Sequence, residues 1–212
     1  PQGREFYRYR VRHFTTLDIS PEEVHQLGLN EVARIRAEME GVIDRVEFKG
    51  SFDEFLAFLR TDERFYAKTG EQLQKEIAYV LKRMDGQLPR LFSILPRMSY
   101  GIRVVPEYIA PRTTAAYYSP PAGDGSQAGF YYINTFNLKG RPLYQVEALS
   151  LHEAVPGHHL QIAIAQELPE TPLFRKHLDA TVFVEGWALY TERLADEMGL
   201  YTSDLDRMGM LS

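Results

Sequence analysis

The feature that most constrains the fold is a Pro-Gly pair inside a segment that otherwise has helical character. The segment covers residues 144–167 and is largely apolar. Pro156 removes an amide donor and clashes with the preceding turn, whereas Gly157 tolerates almost any backbone conformation. We therefore predict a bulge or a break in the helix at this pair. Such distortions are frequent at functional sites.

The residues around the Pro-Gly pair favour metal binding. Three of the six histidines, His152, His158 and His159, fall within this one segment, beside Glu153. Because the chain has no cysteine, a metal ion must be bound by His, Asp or Glu. In the usual zinc-hydrolase motif two histidines lie at positions i and i+4 of one helix, with a general-base glutamate at i+1. His152 and Glu153 match its first half, but Pro156 occupies the place of the second histidine.

Helix geometry limits which histidine can be the second ligand. On an ideal helix His159 lies about 20° from His152 in azimuth but about 10.5 Å further along the axis, too far to share one ion. A distortion at the Pro-Gly pair absorbs two extra residues and returns His158 to the metal-facing side. We predict His158 as the ligand and keep His159 as the alternative. If His159 does not bind the metal, we expect it to support one of the metal ligands or to donate a hydrogen bond to the substrate. The competing interpretation is a helix whose histidines merely fill core or surface positions.

Two runs, residues 152–161 and 183–192, together resemble the bacterial family catalogued as domain of unknown function 885. That family is similar to the glutamate-zincin metallopeptidases, which include the thimet-type oligopeptidases, carboxypeptidase Taq and angiotensin-converting enzyme. The resemblance implies a third metal ligand, a glutamate on a following helix, and Glu185 occupies that position. It also implies that Zn²⁺ is the cofactor and that the substrate is a peptide or a small amide.

The surroundings of Glu185 add an argument from the residues themselves. The helix predicted over residues 178–198 is apolar nearly all round, which is typical of a buried helix, and a buried carboxylate needs a cation. Glu192 lies two turns further on, and we expect it to pair with an arginine or lysine. Relatives of angiotensin-converting enzyme carry an aspartate four residues after the ligand glutamate. Leu189 stands there in this chain, so the partner of His152 is left unassigned.

Helix signals are clearest in the first part of the chain. Ser20 and Ser51 each precede a glutamate by three positions, which is the spacing of a capping box. A further helix is predicted over residues 71–84, where an Asp-Gly pair follows. We expect an incomplete helical N-terminal part over residues 1–95 and a zincin-like metal-binding part over residues 96–212.

The character of the sequence changes after residue 96. Short β-branched or aromatic runs, bounded by proline and glycine, predict strands at residues 102–105, 115–118 and 130–133. Helical character returns from residue 143. The predicted fold class is α+β, mainly α, with a zincin-like helical core and a small antiparallel sheet.

In related zincins an extended substrate aligns along the edge of a small sheet that precedes the metal helix. Residues 129–135 occupy the corresponding place, so a peptide is expected to add there as a further strand; an ordinary half-buried strand is the alternative. Tyr131, Tyr132 and Tyr190 are candidates for polarising the substrate carbonyl or stabilising its oxyanion. The residues themselves favour none of the three tyrosines.

Charge narrows the class of partner. The formal net charge of −5 argues against nucleic acid and against an anionic membrane surface, and no apolar run reaches the roughly 18 residues of a membrane span.

We predict a zinc-dependent hydrolase, in the first place a metallopeptidase with Glu153 as general base. The alternatives are a non-catalytic metal-binding or scaffold domain of the same fold and a helical domain without metal. Members of the family are longer, so we expect the chain to be part of a longer polypeptide; compartment, whether cytoplasmic or periplasmic, and oligomeric state stay open.

Overall fold

The computed structural model describes residues 2–176, 178 and 180–212, so that Pro1, His177 and Asp179 lie outside the described residues. The chain is mainly helical and carries a small three-stranded sheet. Within the part that the structure describes, no helix has both the length and the apolarity needed to cross a bilayer. The helices are α1 Gln2–Thr15, α2 Pro21–Arg45, α3 Phe52–Thr61, α4 Gly70–Asp85, α5 Leu88–Leu91, α6 Val146–Glu153, α7 His158–Glu167, α8 Leu173–Lys176, α9 Thr181–Glu197 and α10 Asp204–Leu211, and the strands are β1 Tyr100–Val104, β2 Ala116–Ser119 and β3 Gly129–Ile133.

The two predicted capping boxes are confirmed. The Ser20 hydroxyl accepts from the backbone of Glu23 at the start of α2, and the Glu23 carboxylate accepts in return from the Ser20 backbone. Ser51 and Glu54 make the same pair of bonds at the start of α3. The helices expected over residues 71–84 and 178–198 correspond to α4 and α9. Helices α1 and α10 were not predicted from the sequence.

The sheet is mixed, so the prediction of an antiparallel sheet is wrong. The strand order is β1-β3-β2; β2 runs antiparallel to β3, whereas β1 runs parallel to it. The end of β1 and the start of β2 both lie level with Ile133, because Val104 and Ala116 each pair with that residue. Residues 105–115 therefore cross the end of β3 and reverse the chain. A second reversal between β2 and β3 restores the direction of β1.

The larger hydrophobic cluster joins α4, α6, α7 and the sheet. It includes Ile77 and Met84 from α4, Leu151 from α6 and Tyr131 from β3. Residues on both sides of position 96 contribute to it, while the division of the chain at that position stays a prediction. A smaller cluster joins α2, α3 and α10 around Phe55.

A buried ion pair ties α4 to α6. The Glu147 side chain is 6% exposed; its carboxylate is bonded to the Arg83 guanidinium and accepts from the backbone and the hydroxyl of Thr202. Burial raises the pKa of Glu147, with the charge of Asp206 as a further cause, while Thr202 and Arg83 act in the opposite direction. These bonds compensate a carboxylate that would otherwise be costly to bury. They fix the first turn of α6, and so the direction in which that helix runs to its end at Glu153.

The predicted break in the helix at the Pro-Gly pair is confirmed. Helix α6 ends at Glu153 and α7 begins at His158, with a tight turn between them. A side chain at position 157 would overlap the carbonyl oxygens of Leu151 and His152. Position 157 therefore requires glycine because the backbone returns so closely to the end of α6.

We expect Gly157→Ala to lower the free energy of unfolding by about 1–3 kcal/mol, because the added methyl group forces the turn away from α6. Gly186→Ala is the matched control, since nothing lies within 4 Å of a side chain there. In the interior of α9 an alanine should be neutral or stabilising by up to about 1 kcal/mol. Urea unfolding of both variants measures the difference. Equal stability of the two would contradict the close approach at position 157.

Candidate metal centre

Three side chains from three helices converge beside the break between α6 and α7. His152 lies in the last turn of α6, His158 begins α7, and Glu185 lies on α9. Glu185 Oε2 is 3.4 Å from His152 Nε2 and 3.8 Å from His158 Nε2. One ligand atom from each residue lies within 4.8 Å of the other two. The structure thus brings together the three residues that the sequence predicts as ligands.

The spacing and chemistry of these atoms fit Zn²⁺. Tetrahedral zinc with bonds of about 2.0–2.1 Å separates its ligand atoms by roughly 3.3 Å, and the atoms of Glu185 lie 3.4 and 3.8 Å from those of the two histidines. Two imidazoles and a carboxylate form a common catalytic zinc set. Burial and the neighbouring His152 lower the pKa of His158, which favours the neutral ring that a metal ligand requires.

The partner of His152 is Glu192, so the prediction that Glu192 pairs with an arginine or lysine is wrong. Its Oε1 lies 2.7 Å from His152 Nδ1. Glu185 and Glu192 are seven residues apart and therefore share a face of α9. The two ring nitrogens of His152 lie between them, one towards each carboxylate. The spacing of seven residues between Glu185 and Glu192 is visible in the sequence, and it is the signal that could have placed Glu192 at the same site.

The contact with Glu192 orients the His152 ring. Burial lowers the pKa of His152, but the hydrogen bond and the charge of Glu192, together with the charges of Glu153 and Glu185, raise it above its ordinary value. In the neutral ring Nδ1–H donates to Glu192, which leaves the Nε2 lone pair facing Glu185. A histidine oriented in this way by a carboxylate is typical of zinc sites.

Glu153 lies next to the three converging groups and is only 7% exposed. Burial is the main cause that raises the pKa of Glu153 to about 7; His152 lowers it and Glu185 raises it further. A carboxyl group with a pKa near neutrality can both accept a proton and return it. The predicted general base therefore has an environment suited to that chemistry.

The prediction that α9 is a buried helix is wrong. Ala188, Thr191 and Ala195 are buried, but the opposite face is open and the Glu185 side chain is 57% exposed. A row of apolar residues therefore indicates burial only where a neighbouring element covers it. The argument that a buried Glu185 needs a cation does not hold, and the case for this ligand rests on the two distances to histidine.

A cleft of about 350 Å³ leads to the converging side chains. Besides the two histidines, Glu153 and Glu185, its walls are formed by β2, by the proline just after it and by apolar residues of α7 and α9: Ala116, Tyr117, Tyr118, Pro120, Ile162 and Val184. The strand beside the cleft is β2, at one edge of the sheet. Residues 129–135, predicted to accept the substrate, contain the central strand β3, whose two edges are already paired. The sequence analysis did not identify β2 as the strand beside the cleft, because the order of strands in a sheet depends on distant parts of the chain.

The three tyrosines predicted from the sequence and His159 are not among the residues that line the cleft. Tyr131 is fully buried, Tyr132 stacks on Tyr117 with ring centroids 4.7 Å apart, and Tyr190 is half-exposed on α9. His159 is buried and does not join the three converging groups. Among the described residues, the tyrosines that line the cleft are Tyr117 and Tyr118, which the sequence analysis did not single out.

Comparisons with known proteins place the chain in a family. A crystal structure described as that of a candidate lipoprotein from Colwellia psychrerythraea superimposes with a TM-score of 0.94 and 31% sequence identity. The match covers 100% of this chain and 37% of that chain, so this chain spans little more than a third of the relative's length. No curated protein matches the chain. The model of the bacterial proteins of unknown function DUF885 matches residues 1–212, and the chain therefore belongs to the DUF885 family.

Proposed function

We propose that the protein is a zinc-dependent hydrolase with a zincin-like core and that it cleaves peptide or small amide bonds. The observation that carries this proposal is the convergence of His152, His158 and Glu185 beside the buried Glu153. The two histidines and Glu185 would hold the ion. Bound zinc supplies Lewis acidity, which polarises a carbonyl group and eases the loss of a proton from water.

Glu153 acts as the general base. Its carboxylate accepts a proton from the attacking water and returns it to the leaving amine. Three properties support this role: it lines the cleft, it is shielded from bulk solvent, and its pKa is raised to about 7. A base with a pKa near the working pH is the most effective for such transfers.

The cleft wall suits an extended chain. Strand β2 pairs with β3 along one edge, and β3 separates it from β1. A substrate peptide can add to the other edge of β2 through main-chain hydrogen bonds. Tyr117, Ile162 and Val184 offer apolar surface to a substrate side chain there. We therefore favour a peptide over a small amide as substrate.

The first test is zinc binding. We expect about one equivalent of zinc per chain, and we expect His158→Ala to weaken the affinity by at least about 100-fold, since it removes a ligand. His25→Ala is the control, because His25 is an exposed histidine on α2. Competition with a chromogenic chelator measures both. Equal affinity in the wild type and in the His158 variant would exclude this ligand set.

The second test concerns the partner of His152. We expect Glu192→Gln to reduce zinc affinity by about 10- to 100-fold, because the ring of His152 loses the charge that orients it and makes it more basic. Glu197→Gln changes an exposed glutamate on the same helix and should leave the affinity unchanged. The same chelator competition applies. If the two variants bind zinc equally well, Glu192 has no part in the centre.

The third test separates binding from turnover. We expect Glu153→Gln to keep its zinc and to lose hydrolysis of a quenched fluorescent peptide pool by about 10²- to 10⁴-fold, because the base is removed and no ligand is. Loss of zinc from this variant would make Glu153 a ligand. A wild-type protein that binds zinc but cleaves no peptide would favour the non-catalytic metal-binding domain.

A further inference from the structure

The second histidine of the pair after Gly157 has both ring nitrogens occupied by protein groups. His159 is 1% exposed; its Nδ1 lies 2.8 Å from the Tyr118 hydroxyl and its Nε2 lies 3.1 Å from the Met98 carbonyl oxygen. A carbonyl oxygen only accepts, so Nε2 carries the proton and Nδ1 accepts from the Tyr118 hydroxyl. Neither nitrogen is left for a metal ion or a substrate.

The hydroxyl bonded to His159 belongs to the strand that borders the cleft. Tyr118 lies in β2, lines the cleft and has its ring centroid 6.5 Å from that of His158. The backbone amide of Tyr118 lies beside the Glu153 carboxylate. Tyr118 thus lines the same cleft as the proposed base and bonds His159 through its side chain.

Strand β2 is short and depends on tethers of this kind. It has four residues, and among the strands of the described residues only β3 pairs with it. Its side towards the cleft has no strand to hold it. The bond from Tyr118 to His159 joins β2 to the first turn of α7, where His158 also lies, and the bond to Met98 continues to the segment just before β1.

The geometry points to His159 as a positioning residue: its two hydrogen bonds hold β2 in place, so that the Tyr118 amide and the cleft edge of the strand stay aligned with Glu153. This inference rests on the proposed hydrolase function. It assigns different tasks to the two adjacent histidines. His158 faces the metal centre, while His159 faces away from it and fixes the wall of the cleft along which the substrate lies.

The test compares four variants of the zinc-loaded protein. His159→Phe keeps the ring volume against Tyr100 but removes both bonds, and Tyr118→Phe removes only the hydroxyl. His159→Gln retains one donor and one acceptor and serves as the conservative rescue. Tyr79→Phe is the control, since it removes a hydroxyl from an exposed tyrosine of α4 that does not line the cleft.

Three quantities are measured: zinc affinity by chelator competition, kcat and KM on the quenched fluorescent peptide pool, and amide hydrogen exchange of residues 116–119. For His159→Phe and Tyr118→Phe we expect unchanged zinc affinity, a fall in kcat of about 10- to 100-fold with a smaller change in KM, and faster exchange in β2. His159→Gln should recover most of kcat. Tyr79→Phe should match the wild type in all three.

Several results overturn the inference. A loss of zinc from His159→Phe as large as that from His158→Ala would make His159 a ligand. Unchanged exchange in β2, or unchanged kcat, would show that the two bonds do not position the strand. If the wild type binds zinc but cleaves nothing, the hydrolase proposal fails on its own. In that case, amide hydrogen exchange of residues 116–119 in His159→Phe and in the wild type still shows whether His159 holds β2 in place.

Discussion

The close return of the backbone at Gly157 to the end of α6 is the constraint on which the candidate site depends. In a straight helix, residues six or seven positions apart are separated by about 9–10.5 Å along the axis. The turn replaces that separation with two helix ends that meet, so that the rings of His152 and His158 have centroids 4.7 Å apart and are nearly perpendicular. No side chain fits where the turn closes against the carbonyl oxygens of Leu151 and His152.

Negative charge is concentrated around this turn. Two carboxylates of α9, Glu185 and Glu192, lie on either side of His152, and Glu153 is buried beside it. Burial and these like charges disfavour the ionised form of Glu153, which agrees with its raised pKa. A divalent cation held by the histidines and Glu185 would compensate this charge. It would also give Glu185, which is otherwise exposed, a reason for its position.

Local signals in the sequence predicted local features well. The capping boxes at Ser20 and Ser51 and the break at the Pro-Gly pair depend on a few adjacent residues, and the structure has all three. The convergence of His152, His158 and Glu185 also followed from sequence, because the first two are close in the chain and the third came from a family resemblance.

The features that failed depend on distant parts of the chain. The direction of β1 follows from two chain reversals, and the exposure of Glu185 depends on which elements cover α9. Neither feature can be predicted from the residues next to it in the sequence. Glu192 was misassigned for a different reason. Its spacing from Glu185 was visible, but an imidazole offers two opposed nitrogens, and only the placement of α9 against α6 shows that His152 uses both.

The mixed sheet, although it contradicts the expected topology, gives the cleft its wall. Because β1 joins β3 on the side away from β2, β3 becomes the central strand and β2 is left at an edge beside the candidate metal centre. An edge strand of four residues is weakly held, so its position must be secured from the helical side. The residue that follows His158 on α7 makes that contact, through Tyr118. The pair of adjacent histidines thus links the two parts of the candidate site: the ring of His158 faces the proposed metal ligands, and His159 bonds the strand along which we propose the substrate binds.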